Sequence, residues 1–225
     1  MKIFPLEVPI TGRVRVCLEL LKKMELRNKV LVDVGCSFGW LERELAKSGA
    51  KKIIGIEPDS KAVNFAKKHV QGAQFLLGNA LSLPLKENAA DIVILFDIIE
   101  HVPVGTETKV LKEAFRVLKP KGKVLLSTPY DNFFSKVLDP AWYFGHRHYQ
   151  QSTLIKMFDK NRFEALDIFT RGSLFSCFFI AWFYIMKIIF RIPQPRNSFL
   201  ERLDDLGYEH GKIKEIFLVA QKTEK

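Results

Sequence analysis

Cysteine is scarce in this chain of 225 residues: Cys17, Cys36 and Cys177 lie far apart and form no CxxC pair. That excludes a disulfide scaffold, argues against a structural zinc site, and makes a reducing compartment the expected setting. There is no internal repeat, no low-complexity linker, and no Arg-rich run interleaved with aromatics of the kind that grips RNA. Residues 1–12 lack a basic stretch followed by an apolar core and a small-residue cleavage site, so no secretory leader is expected and the cytoplasmic side is the expected location. What is present is 48% hydrophobic and 27% charged residues with 13 Gly and 10 Pro, a balance that suits one globular core rather than a disordered or fibrous chain. The net charge of +10 favours an anionic partner such as a membrane surface or nucleic acid, unless it is a plain solvated surface.

From about residue 29 to 128, apolar runs of strand length alternate with segments of helical period, the pattern of βαβ units and a parallel sheet. Strands are expected at 30–34, 52–57, 73–77, 91–96 and 122–127, each rich in Val, Ile or Leu as strands buried on both faces should be. Helices are expected at 41–48, 60–70 and 106–118, with a leading amphipathic helix over 13–26. After the fifth strand come a mixed loop at 129–151, a helix at 152–160 and two last strands near 163–170 and 215–221. Seven strands result.

The first strand runs into a glycine turn, Asp33-Val-Gly35-Cys36-Ser-Phe-Gly39, at the sheet edge where ligands of doubly wound folds bind. Gly35 and Gly39 allow close backbone approach, although an ordinary tight turn would use them too. The G-x-G-x-x-G spacing of a dinucleotide site is absent. Asp33 would repel a pyrophosphate and could hold a cationic amino group. The second strand ends at Glu57, placed to accept hydrogen bonds from both ribose hydroxyls, with Asp59 as the expected cap of the next helix.

These segments, with Gly78-Asn79-Ala80-Leu-Ser-Leu-Pro84, Asp91 to Val102 and Leu111 to Gly122, resemble the class I S-adenosylmethionine-dependent methyltransferases, in particular the ubiquinone and menaquinone biosynthesis methylases. The resemblance implies an α/β, three-layer αβα Rossmann-like sheet of seven strands in the order 3-2-1-4-5-7-6, the last strand antiparallel. It implies S-adenosyl-L-methionine as cofactor, held by Asp33, Gly35, Cys36, Gly39, Glu57, Asn79, Ala80 and Asp97. Two positions depart from the family pattern: Ser37 stands at the central glycine of the turn, and Asn79 replaces the acid before the adenine.

The fourth strand ends in Phe96-Asp97-Ile-Ile-Glu100-His101. In the ubiquinone O-methylases the two acids and the histidine of this pattern resemble a magnesium site, but the same Glu-His pair occurs in metal-independent relatives, and no metal is assigned here. His101 is a candidate base for a hydroxyl acceptor, or else a capping or cofactor-shell residue. Gly145-His146-Arg147-His148-Tyr149 offers two more histidines, of which His148 is the second candidate catalytic residue, and an arginine able to clamp a phosphate or carboxylate.

Residues 174–192 are almost wholly apolar and aromatic over a length close to a membrane span. They lie between two strands of one sheet, and the charged stretch at 193–214, with Arg196, Glu201, Arg202, Asp204, Asp205 and Glu209, cannot cross back. A single span is therefore not expected. An interfacial helix anchored by Trp182, Tyr184, Lys187 and Arg191, a wall for an apolar acceptor, and a dimer or core helix are the readings left open. The expectation is one methyltransferase domain over 1–225 with an apolar insertion at about 173–212, methylating a small or lipid-linked acceptor at oxygen, with peripheral membrane contact through 174–192. The rival functions are a non-catalytic docking module of the same fold and RNA methylation; the latter lacks its Asn/Asp-Pro-Pro-aromatic signature after the fourth strand.

Overall fold

The computed structural model describes residue 8 and residues 10–192 and 198–224. The leader reading at 1–12 lies largely outside these residues, and Arg196 wholly so. Seven strands, β1 Val30–Val34, β2 Lys52–Glu57, β3 Gln74–Leu77, β4 Ala90–Phe96, β5 Leu118–Pro129, β6 Phe163–Arg171 and β7 Glu215–Lys222, form one sheet in the order β3-β2-β1-β4-β5-β7-β6. β1 to β5 pair in parallel, and β7 runs antiparallel to both β5 and β6. The expected order and the antiparallel last strand are both found.

Alternation along the strands explains why the apolar runs are continuous. Val32, Val93, Val124 and Leu218 face one layer with α4 (Glu107–Val117) and α6 (Gln151–Lys160). Leu31, Ile94, Leu125 and Phe217 face the other with α1 (Gly12–Lys23), α2 (Trp40–Leu45) and α8 (Ser198–His210). Both faces are covered, so neither parity of residue can be polar without a partner. A smaller cluster under α3 (Ser60–His69) joins Val63 and Ala66 to Phe75 and Cys36. Asp59 caps α3 by accepting from the Lys61 amide, as expected.

Three expectations are corrected. β5 begins at Leu118, not 122, because Leu118 pairs with Ala90 across an irregular register and Lys121 takes a left-handed φ of 62°. α2 stops at Leu45 instead of 48. Residues 129–151 are not simply loop: Asn132 and Ser135 form a reciprocal capping box that starts α5 (Phe133–Val137), and Asp139 caps a 3-10 turn at Pro140–Phe144 with proline in its first turn.

The apolar segment at 174–192 is a helix, α7 (Leu174–Ile188), of 15 residues. At 1.5 Å per residue it reaches roughly 22 Å, short of a hydrocarbon core of about 30 Å. No helix among the described residues is long and apolar enough to cross a membrane. α8 packs against both α7 and α1. The start of α1 has no cap from Thr11; instead the Gly12 amide and the Arg15 Nε both donate to Asp205 of α8, at 2.8 and 2.7 Å. The N-terminal helix is thereby tied to the insertion between β6 and β7.

Candidate active site

Because β1, β2 and β4 are parallel, their carboxyl ends bring Gly35, Glu57 and Asp97 to one edge, where the strand order reverses between β1 and β4. A cavity of about 470 Å³ opens there, within the range of small-molecule sites, lined by Gly35, Glu57, Asn79, Ala80, Asp97 and His101 among others. Its floor depends on the missing side chain at Gly35: φ is 81°, and a Cβ would fall 2.2 Å from the Cδ1 of Ile98. Glu57 Oε2 accepts from the Ser37 amide at 2.9 Å and Oε1 from the Asp59 amide at 3.0 Å. The departure at Ser37 is thus accommodated. Serine sits at a left-handed φ of 50°, a conformation costly for a residue with a Cβ, and the Glu57 carboxylate fixes its amide there. Asn79 uses its amide oxygen on the Leu81 amide at 2.9 Å.

Asp33, Cys36 and Gly39 do not line this cavity. Cys36 is buried beneath the turn, and Gly39 is the left-handed residue before α2, where a Cβ would press on Phe75. Asp33 is also buried and faces Glu42 of α2, which has no exposed surface and no conventional hydrogen-bond partner for either carboxylate oxygen. Burial comes first and the Glu42 charge second in pushing the Asp33 carboxyl well above its usual range; burial raises Glu42 to about 7. Both carboxyls are thereby pushed toward the neutral form. Asp33, expected to hold a cationic amino group, thus lies buried below the turn beside Glu42. A raised acid stabilises the fold below its unfolded value and loses that contribution as pH rises through the folded one, here from about 4.5 to 7 for Glu42. Glu42→Gln should flatten this loss and raise the melting temperature at pH 8, while changing it little at pH 5; each kcal/mol recovered is worth about 2–4 °C. Thermal denaturation at the two pH values checks it.

A second, more enclosed cavity of about 220 Å³ lies on the other side of Asp97 and His101, lined also by Arg13 of α1, Tyr184 of α7, and His146, His148, Lys214 and Glu215. Asp97 has a left-handed φ of 54°, pairs with Arg13 at 2.5 Å and accepts from Ser127 Oγ at 2.7 Å. Burial, the largest single influence, opposes its ionisation, but Arg13 together with hydrogen bonds from Glu215 and Ser127 keeps Asp97 below the usual carboxylate range. Beneath it, burial and the Asp97 charge push Glu215 up. Arg13, Glu215 and Asp139 are site residues that sequence reasoning missed.

The histidines divide by their hydrogen bonds. His148 is fixed at both ring nitrogens: Nε2 lies 3.0 Å from Asp139 Oδ2, and Nδ1 is 3.2 Å from the Tyr130 carbonyl and 3.3 Å from Ser135 Oγ. Held at both nitrogens, His148 links Asp139 to the Tyr130 carbonyl. His146 Nδ1 is 2.9 Å from the same Asp139 oxygen, while its Nε2 is buried without a partner. Burial works against ionisation of Asp139, yet these two histidines and the Ala141 amide hold it well below the ordinary carboxylate range. His101 is the most open of the three; burial first, then His146, lowers its pKa and favours the neutral ring. Arg147 does not face an anion site: it donates to the Ile99 carbonyl and pairs with Glu107 at 3.1 Å. Glu107 is a carboxylate partner already inside the chain.

Residues 32–126 match the family model described as a methyltransferase domain. A protein of Mycolicibacterium smegmatis named "Probable S-adenosylmethionine-dependent methyltransferase" is 30% identical over 138 residues, which are 61% of this chain and 52% of the relative. A ubiquinone biosynthesis O-methyltransferase of Coxiella burnetii is 29% identical over 116 residues, 50% of this chain and 48% of that protein. The chain spans about half the length of these curated relatives. Among solved structures, an S-adenosylmethionine-dependent methyltransferase of Methanosarcina mazei superposes with a TM-score of 0.64 at 18% identity, covering 100% of both chains, a likeness of fold.

Proposed function

We propose, from the match of residues 32–126 to the methyltransferase-domain family model, that the chain moves the methyl group of S-adenosylmethionine to a hydroxyl on an acceptor with an apolar body. One observation carries the reading: the two cavities share only Asp97 and His101 in their linings, so a donor in one and an acceptor in the other would meet at those residues. The larger cavity suits the cofactor. Gly35 leaves room where any Cβ would collide, Glu57 stands at the end of β2 with lone pairs beyond those its two amide bonds use, and Asn79 and Ala80 line the part expected to take the base. Bound there, the cofactor supplies an electrophilic methyl group, and the chain's work is alignment. His101 would lie against the acceptor oxygen, and its neutral ring can carry the hydroxyl proton away.

The apolar acceptor is supported by α7. Its inner residues Cys177, Ile180 and Tyr184 line the smaller cavity, while Phe178, Ile188 and Ile189 are exposed on the outside. Phe133 and Phe144, 72% and 85% exposed, extend that outer surface across α5 and the 3-10 turn. Exposed apolar side chains on α7, α5 and the 3-10 turn, with Lys187 and Arg191 near the end of α7, suit an anionic lipid interface, with the acceptor's tail entering from it. The name of the Coxiella burnetii relative, an O-methyltransferase of ubiquinone biosynthesis, points the same way.

Calorimetric titration with S-adenosylhomocysteine tests the donor half, and sedimentation with anionic and neutral vesicles tests the acceptor half. Micromolar binding of the homocysteine, and pelleting with anionic vesicles that falls with salt, are expected. Absence of saturable binding would end the methyl-transfer reading, and absence of pelleting would end the lipid one.

A further inference from the structure

Glu100 Oε1 and His146 Nε2 are both buried, both without a hydrogen-bond partner, and 3.9 Å apart. Each is fixed by its other end. Glu100 Oε2 accepts from Thr128 Oγ1 at 3.1 Å. A carboxylate only accepts, so His146 Nδ1 carries the hydrogen it shares with Asp139 at 2.9 Å, and Nε2 presents a lone pair. Burial first, and then the Asp97 charge, push the Glu100 carboxyl well above its usual range, and a cation beside it would favour its ionised form. The two unpartnered atoms face each other across a gap too long for a hydrogen bond, whereas two metal–ligand bonds of about 2.0–2.2 Å span such a gap. His101 is the third member: its ring lies 4.6 Å from that of His146, and one ligand atom from each of Glu100, His101 and His146 falls within 4.8 Å of the others.

We propose that Glu100, His101 and His146 hold a divalent transition-metal ion of the zinc or cobalt type at the junction of the two cavities. Asp139 and Thr128 orient two of the ligands from behind, the arrangement that ligating histidines and carboxylates ordinarily show. The set differs from the Asp97, Glu100 and His101 group suggested by resemblance, because Asp97 is taken up by Arg13 and Ser127. Two imidazoles with one carboxylate also favour a borderline transition metal over magnesium, which prefers oxygen donors. The use of the ion rests on the methyl-transfer reading: bound, it would hold the acceptor oxygen and acidify its hydroxyl so that the proton leaves to water, with His101 a ligand in the loaded chain and the base only in the metal-free chain. Its existence does not rest on that reading.

The full chain is stripped with chelator and titrated with Co²⁺ while its visible ligand-field absorption is followed, with S-adenosylhomocysteine binding measured separately. A saturable tetrahedral-type spectrum is expected, displaced by Zn²⁺ and not by excess Mg²⁺. His146→Ala and His101→Ala should abolish it, Asp139→Asn should weaken affinity about 10- to 100-fold, and His148→Ala should retain it. No saturable spectrum in the unmutated protein overturns the site, whether or not the homocysteine binds. Displacement by Mg²⁺, survival of the spectrum in His146→Ala, or its loss in a folded His148→Ala overturns the assignment of ligands.

Discussion

Replacing His101 with alanine should lower the rate of methyl transfer about 10²- to 10⁴-fold and leave the affinity for S-adenosylhomocysteine nearly unchanged. The residue lines both cavities but makes none of the hydrogen bonds that shape the cofactor turn. Label from a tritiated methyl donor, recovered in the organic phase after incubation with a lipid extract, supplies the rate. The pH profile supplies a sharper check. His101 is held below the ordinary imidazole range by burial and by His146, so the neutral ring persists to lower pH than a free histidine would allow. In the chelator-stripped chain the wild-type rate should rise on a limb below about pH 6.5 and then level, and that limb should vanish in His101→Gln. A full rate in His101→Ala would show that the acceptor does not meet the donor at the shared wall.

The next largest effect is expected at Glu57. Glu57→Ala should weaken S-adenosylhomocysteine binding by about 1.5–3 kcal/mol, the value of hydrogen bonds to a charged group, or roughly 10- to 150-fold. The carboxylate has two roles in the structure, since it also fixes the Ser37 and Asp59 amides. Calorimetry beside thermal denaturation separates them. A loss of affinity with the melting temperature held marks ribose recognition, and unchanged affinity sinks the assignment. Glu57→Gln, which keeps an acceptor for the Ser37 amide, should recover part of the melting temperature and little of the affinity.

Most of the sheet could be read from the sequence because buried parallel strands write themselves as aliphatic runs, and β1 and β2 fall at the expected residues. That the larger cavity would gather Gly35, Glu57, Asn79 and Ala80 was legible for the same reason, since they sit within a few residues of strand ends and the fold brings parallel strand ends together; that Asp33, Cys36 and Gly39 lie outside its lining was not. Nor was the acceptor side. Arg13 meets Asp97 from α1, which packs on the sheet and is tied to α8 by Asp205, a tertiary relation with no local signature. Asp139 did carry a signal, an acid directly before proline at the start of a turn, but that pattern announces a cap and not the anchor of two histidines. The Asp33–Glu42 pair escaped notice because helical periodicity cannot say that a glutamate on α2 points at the strand below it.

The lining of the smaller cavity is drawn from α1, from the segment after β5, from α7 and from the start of β7, mostly outside residues 32–126. Only Asp97 and His101 belong to both cavities. Selection for a new acceptor can therefore act on one set of residues while selection for the methyl donor acts on another, and the two histories need agree at only two positions. On the methyl-transfer reading proposed above, a lineage with this layout could change what it methylates many times without relearning how to hold the methyl group.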